Sequence, residues 1–124
     1  MKNDLKRILI IDDDPDLRTV MNISLKKHGY MVDTASKREE VHDKLLEFNP
    51  TVVLLDVMLS GHDGRNICRE IKEMEEMKDV PVIMVSAHPG AAENISSYGA
   101  DDFIGKPFNV ETLIEKVEGL ANKK

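Results

Sequence analysis

A chain of 124 residues carries 17 lysines and arginines against 23 aspartates and glutamates, a net charge of −6. That length fits one domain with its own core, and the acidic balance disfavours non-specific nucleic-acid binding, which depends on basic groups meeting phosphates. No apolar run approaches the roughly 20 residues that cross a bilayer. The lone cysteine, Cys68, excludes an internal disulfide, and no signal-peptide core follows the charged start Met1 to Arg7, so the chain is expected to be cytoplasmic.

Ile8-Leu9-Ile10-Ile11 is short and wholly apolar, as strands buried on both faces are, and it runs into Asp12-Asp13-Asp14-Pro15. Asp14 before Pro15 predicts a helix start. Leu17, Val20, Met21, Ser24, Leu25 and His28 then recur at helical spacing until Gly29 stops the helix. Tyr30 to Ala35 alternates weakly and carries Asp33, as an edge strand does. Ser36-Lys37-Arg38-Glu39 has the form of a capping box and opens a helix with Val41, Leu45 and Phe48 inward. Past the Asn49-Pro50 breaker, Val52 to Leu55 predicts a third strand that ends on Asp56 and a loop closed by Asp63-Gly64.

The next helix places Ile67, Cys68, Ile71 and Met74 on one face, with Cys68 as inert packing, and Glu73 to Asp79 reads as a charged, solvated connection. Val82 to Val85 is a fourth strand, ending on Ser86-Ala87-His88. A short helix over Ala91 to Tyr98 is followed by a fifth strand, Asp102 to Ile104, which ends at Gly105-Lys106-Pro107-Phe108. Asn109 caps a last helix with Leu113, Ile114, Val117 and Leu120 inward. Five strand–helix repeats with short connections predict one α/β domain over residues 1–124. It is a doubly wound, five-stranded parallel sheet with five helices on its two faces.

The polar strand ends form a constellation. If the sheet order is 2-1-3-4-5, the first and third strands are neighbours about 4.8 Å apart, and Asp12, Asp13 and Asp56 converge. Three carboxylates that close repel one another and call for a cation, and Mg²⁺, a hard ion that takes carboxylates, water and phosphate oxygens, fits. Ser86 offers a hydroxyl from the next strand and Lys106 a long cationic stem from the fifth. A metal, a lysine and a hydroxyl around one carboxylate would stabilise a phosphoryl group transferring to it.

At these residues the chain resembles the receiver domains of two-component response regulators, of the single-domain, chemotaxis-regulator-like type. The matching motifs are Ile8 to Pro15, the Asp56 to Gly64 loop, Val85-Ser86-Ala87 and Lys106-Pro107-Phe108. The resemblance supplies the strand order 2-1-3-4-5 and a flavodoxin-like fold. It implies that Asp56 is the phosphoacceptor, and that Asp12, Asp13, Asp56 and the backbone carbonyl of Met58 hold Mg²⁺. It also implies that Ser86 binds the phosphoryl group and moves with it, and that Lys106 pairs with it before an often cis Pro107. Phe103 stands where the family keeps an aromatic switch, a position that plain core packing also explains. Ser60 and His62 depart from the proline and methionine usual in the loop.

The implied partners are a sensor histidine kinase or histidine phosphotransfer protein and a downstream protein target met through the fourth helix, fifth strand and fifth helix. Neither nucleic acid nor membrane is implied, and the oligomeric state stays open. The domain would signal, catalysing only its own phosphorylation and dephosphorylation, with Met58 and His88 flanking the path of the hydrolytic water. A phosphatase of the haloacid-dehalogenase type wants a second aspartate two residues after the nucleophile, where Met58 stands. A pseudo-receiver usually lacks one of the acidic pair, the acceptor or the lysine. A receiver cut from a longer, DNA-binding regulator is left open.

Overall fold

The computed structural model describes residues 6–59, 61–87, 90, 93 and 95–122. In chain order the strands are β1 (Arg7–Ile11), β2 (Met31–Ala35), β3 (Val52–Asp56), β4 (Met58–Leu59), β5 (His62–Asp63), β6 (Val82–Ser86) and β7 (Asp102–Gly105). The helices are α1 (Pro15–Lys27), α2 (Arg38–Phe48), α3 (Gly64–Glu73) and α4 (Val110–Ala121). Five strands form one parallel sheet in the order β2-β1-β3-β6-β7. With β6 and β7 as the fourth and fifth main strands, this is the expected 2-1-3-4-5 order. The additional β4 and β5 pair with each other as an antiparallel hairpin.

The apolar runs account for the layering. Every residue of β3 and β6 is buried, because helices cover both faces of the sheet. Leu9, Ile11, Val53, Leu55 and Met84 pack with Val41 and Leu45 of α2 and Ile67 and Ile71 of α3. Ile8, Ile10, Leu54 and Ile83 pack on the other face with Met21 and Leu25 of α1 and Leu113 and Val117 of α4. Each such fully buried aliphatic side chain contributes about 1.5–3 kcal/mol relative to exposure. Asp33 sits on the edge strand β2 and pairs with Lys44 at 3.1 Å.

Four expectations change. The fourth expected helix, over Ala91 to Tyr98, is not an α-helix among the described residues. Ile95–Tyr98 is a 3-10 turn ended by Gly99 at φ +93°, and residues 91, 92 and 94 lie outside the described set. A β-branched residue, two serines and a tyrosine are weak helix formers, and a single 3-10 turn suffices before the glycine. Val20 is 48% exposed, because Met21 and Leu25 alone carry the buried stripe of α1. The capping box is shifted: Lys37 holds the cap position without a side-chain bond, and the Glu40 carboxylate accepts the Ser36 backbone N–H at 2.8 Å. Met77, inside the charged connection, is buried against the α3 face of the core.

Candidate functional site

Parallel strands all end on one edge, so the residues that close β1, β3, β6 and β7 meet there. Register pairs Ile11 with Leu55, which sets Asp12 and Asp56 side by side one residue later. Asp12 is 1% and Asp56 7% exposed, whereas Asp13 faces solvent. One oxygen from each of the three lies within 4.8 Å of the others. Lys106 Nζ stands 3.5 Å from Asp12 Oδ2 and 3.7 Å from Asp56 Oδ2. Asp12 Oδ2 is buried and has no hydrogen bond, so that ion pair is what faces it.

Lys106 is held from its backbone. Its N–H donates to the Ser86 carbonyl at 2.7 Å, Gly105 pairs with Ser86 in the ladder, and the Lys106–Pro107 bond is cis. Ser86 is buried at the end of β6. Asp56 Oδ1 accepts the Met58 backbone N–H at 3.1 Å, leaving Oδ2 toward the lysine. Burial, then the charge of Asp12, push the Asp56 carboxyl up to about 6, against the pull of the Met58 N–H and Lys106. Three carboxylates around a buried, unbonded oxygen are the donor set a hard divalent cation takes. The residues present fit such an ion.

The loop after Asp56 is more ordered than its sequence suggests. Met58 opposes Asp63 and Leu59 opposes His62, with Leu59 buried and the Met58 side chain 47% exposed. A Cβ at Gly64 would collide with the Asp56 carbonyl oxygen and with Val57, and the Gly64 N–H donates to the Val57 carbonyl. The Asp63-Gly64 pair signals a turn, but the close approach to the end of β3 is a contact that no local pattern carries. Asp63 caps α3 through the Arg65 N–H at 2.9 Å and takes the Arg65 guanidinium at 3.0 and 2.9 Å. The Arg65 side-chain hydrogen bonds hold the Asp63 carboxyl below its ordinary range. Arg69 then lies 4.5 Å and Arg65 5.8 Å from the Tyr98 ring centre.

Phe103 lies on β7 opposite Met84, half-buried against the core. Cys68 is buried, and burial pushes its thiol up to about 11, as expected of inert packing. His88 and Ser60 lie outside the described residues. A separate cleft of about 630 Å³, lined by Thr51, Asp79, Pro81, Asp101 and Leu120, opens at the other end of the sheet and takes no part in this cluster. No described helix is long and apolar enough to cross a membrane.

The family model for the response regulator receiver domain matches residues 8–118. A putative response regulator from Chloroflexus aurantiacus J-10-fl is 26% identical, with 97% of this chain and 100% of that one covered and a TM-score of 0.90. NtrX from Brucella abortus is 31% identical over 94% of this chain, which spans 27% of NtrX, with a TM-score of 0.87. The chemotaxis protein CheY4 of Vibrio cholerae shares the fold, at 24% identity, coverage of 94% and 98%, and a TM-score of 0.87.

Proposed function

The chain belongs to the response regulator receiver domain family, and on that premise we propose that it takes a phosphoryl group from a phosphohistidine onto Asp56. The observation that carries this reading is the placement of a poorly solvated carboxylate at the end of the central strand, facing Lys106 and flanked by Asp12 and Asp13. Receiver domains are signalling domains with kinase or phosphotransfer donors and downstream targets.

Mg²⁺ on Asp12, Asp13, Asp56 and the Met58 carbonyl would supply charge neutralisation for the transferring group. Asp56 Oδ2, the oxygen that faces Lys106, is the nucleophile, and Oδ1 accepts the Met58 N–H. As the Asp56 O–P bond forms, the donor's N–P bond breaks, and the imidazole leaves with the electron pair and takes up a proton. Lys106 exchanges its carboxylate neighbours for a phosphoryl oxygen with little movement of its stem, and the Ser86 hydroxyl donates to another. Most of the catalysis is positioning and electrostatics.

Moving Ser86 toward the phosphoryl group would pull on the β6–β7 edge, where Phe103 is the candidate switch. The proposed setting is the cytoplasm, with a sensor histidine kinase or histidine phosphotransfer protein upstream and a protein target downstream. Intact-mass measurement after incubation with acetyl phosphate and Mg²⁺ tests the reading. The chain should gain one phosphoryl mass, Asp56→Asn should gain none, and excess EDTA should stop the reaction. Full labelling of the Asp56→Asn protein would overturn it.

A further inference from the structure

Asp12 can serve a cation only if one of its oxygens is kept aimed inward, and a residue outside the acidic cluster does part of that. Past the end of the β1 ladder, the Asp12 carbonyl oxygen accepts Arg18 Nη1 at 2.8 Å. The Arg18 backbone N–H donates to the Asp14 carbonyl at 3.0 Å, and the Asp14 N–H donates to Asp12 Oδ1 at 2.9 Å. These three bonds close a ring that runs from the strand end, through the Asp12–Asp14 turn, to the first turn of α1. The Asp12 N–H is held separately by the Ala35 carbonyl at 3.1 Å. Backbone and Oδ1 are thereby tied, and the oxygen left over is Oδ2, the buried one that faces Lys106 and Asp56.

We propose that Arg18 is a positioning residue for the cation site, clasping the Asp12–Asp14 turn so that Asp12 presents Oδ2 to the ion. The proposal rests on the Mg²⁺-dependent reading above and adds to it a residue that touches neither ion nor phosphoryl group. Arg18 acts through the backbone. Its side chain bonds the carbonyl of a ligand residue, as groups one layer out from a metal commonly do, and a part-buried charge-assisted bond is worth more than an exposed one. Methionine keeps the apolar stem of the arginine and removes the donor.

The test is Arg18→Met, with Mg²⁺ affinity and amide exchange measured side by side. Mg²⁺ binding should weaken by about tenfold, the low end of what such outer partners supply. Labelling by acetyl phosphate should need correspondingly more Mg²⁺ and return close to the native rate at saturation, a split that a damaged acceptor would not show. In metal-free protein the Asp14 amide should exchange faster in the variant. Val117→Ala, a cavity in the far core, controls for lost stability and should leave Mg²⁺ affinity unchanged. Native Mg²⁺ affinity in Arg18→Met, or equal loss in Val117→Ala, overturns the proposal. If the unaltered protein binds no Mg²⁺, the functional reading fails, and the metal-free exchange still decides whether Arg18 holds the turn.

Discussion

The two ends of the sheet use the same kinds of residue to opposite effect. At the amino end Lys72 Nζ meets Asp101 at 2.9 Å and the Val80 carbonyl at 2.7 Å, and Asp101 also accepts the Val82 N–H at 2.9 Å. Every charge in that group has a counterpart, and the result ties α3 to the start of β6. At the carboxyl end three carboxylates converge, two of them on one lysine, and an oxygen of Asp12 is buried without a hydrogen bond. Matched charges fasten a fold, whereas like charges held together by the surrounding core mark a candidate cation site.

The largest test of this contrast is Asp56→Asn. It should abolish labelling, and it should also stabilise the metal-free protein at pH 7. The sign follows from the raised carboxyl. With a native pKa of about 6 against an ordinary 3.8, the folded state binds more protons than the unfolded one between those values. Stability of the unaltered protein, relative to the variant, should therefore fall as pH rises from about 4 to about 6 and stay low above. The difference at pH 7 should be about 2 kcal/mol, less than the full shift because Asp12 shares the charge repulsion. Urea melts of both proteins across that range, with EDTA present, check it, and adding Mg²⁺ should narrow the gap by stabilising the unaltered protein.

Gly64→Ala comes next, because its Cβ would drive into the Asp56 carbonyl. A cost of about 1–3 kcal/mol is expected, together with slower labelling as the end of β3 shifts. Lys72→Met acts on the other end of the sheet. It should cost about 1–2 kcal/mol by taking one donor from Asp101 and leaving the Val80 carbonyl without the lysine, while Mg²⁺ affinity and labelling hold. A matching loss of Mg²⁺ affinity would show that the two ends are not independent. Met58→Asn should have the smallest effect on stability, since the side chain is 47% exposed, yet it should alter the decay of phosphorylated protein. Unchanged decay would remove Met58 from the water's path.

The sequence was most readable at the strand ends, for a geometric reason. Once the runs Ile8–Ile11, Val52–Leu55, Val82–Val85 and Asp102–Ile104 are taken as parallel strands, their last residues must share an edge, and Asp12, Asp56, Ser86 and Lys106 follow. The order that makes β1 and β3 neighbours came from the family resemblance, because local patterns do not encode pairing. What escaped depends on contacts between distant segments or on the rotation of a helix. Gly64 is demanded by the backbone of Asp56, Met77 is buried by α3 and the sheet, and Val20 lies just off the stripe set by Met21 and Leu25. Arg18 had a faint signal, a cation one turn inside the helix that opens at Asp14-Pro15, yet spacing alone does not separate a clasp from a solvated arginine.

The stacking of Tyr98 beneath Arg69 and Arg65 has a practical consequence. The chain has no tryptophan and two tyrosines, so its near-ultraviolet emission comes from Tyr30 and Tyr98 alone. Tyr98 packs on the first turns of α3, whose opening residue, Gly64, bonds the carbonyl next to Asp56. A ring pressed against guanidinium groups responds optically to their distance. Substituting Tyr30 by phenylalanine leaves Tyr98 as the single tyrosine, between the Asp56 loop and the approach to β7. Its emission, followed as acetyl phosphate is added, would report any change in their relative placement without an attached dye.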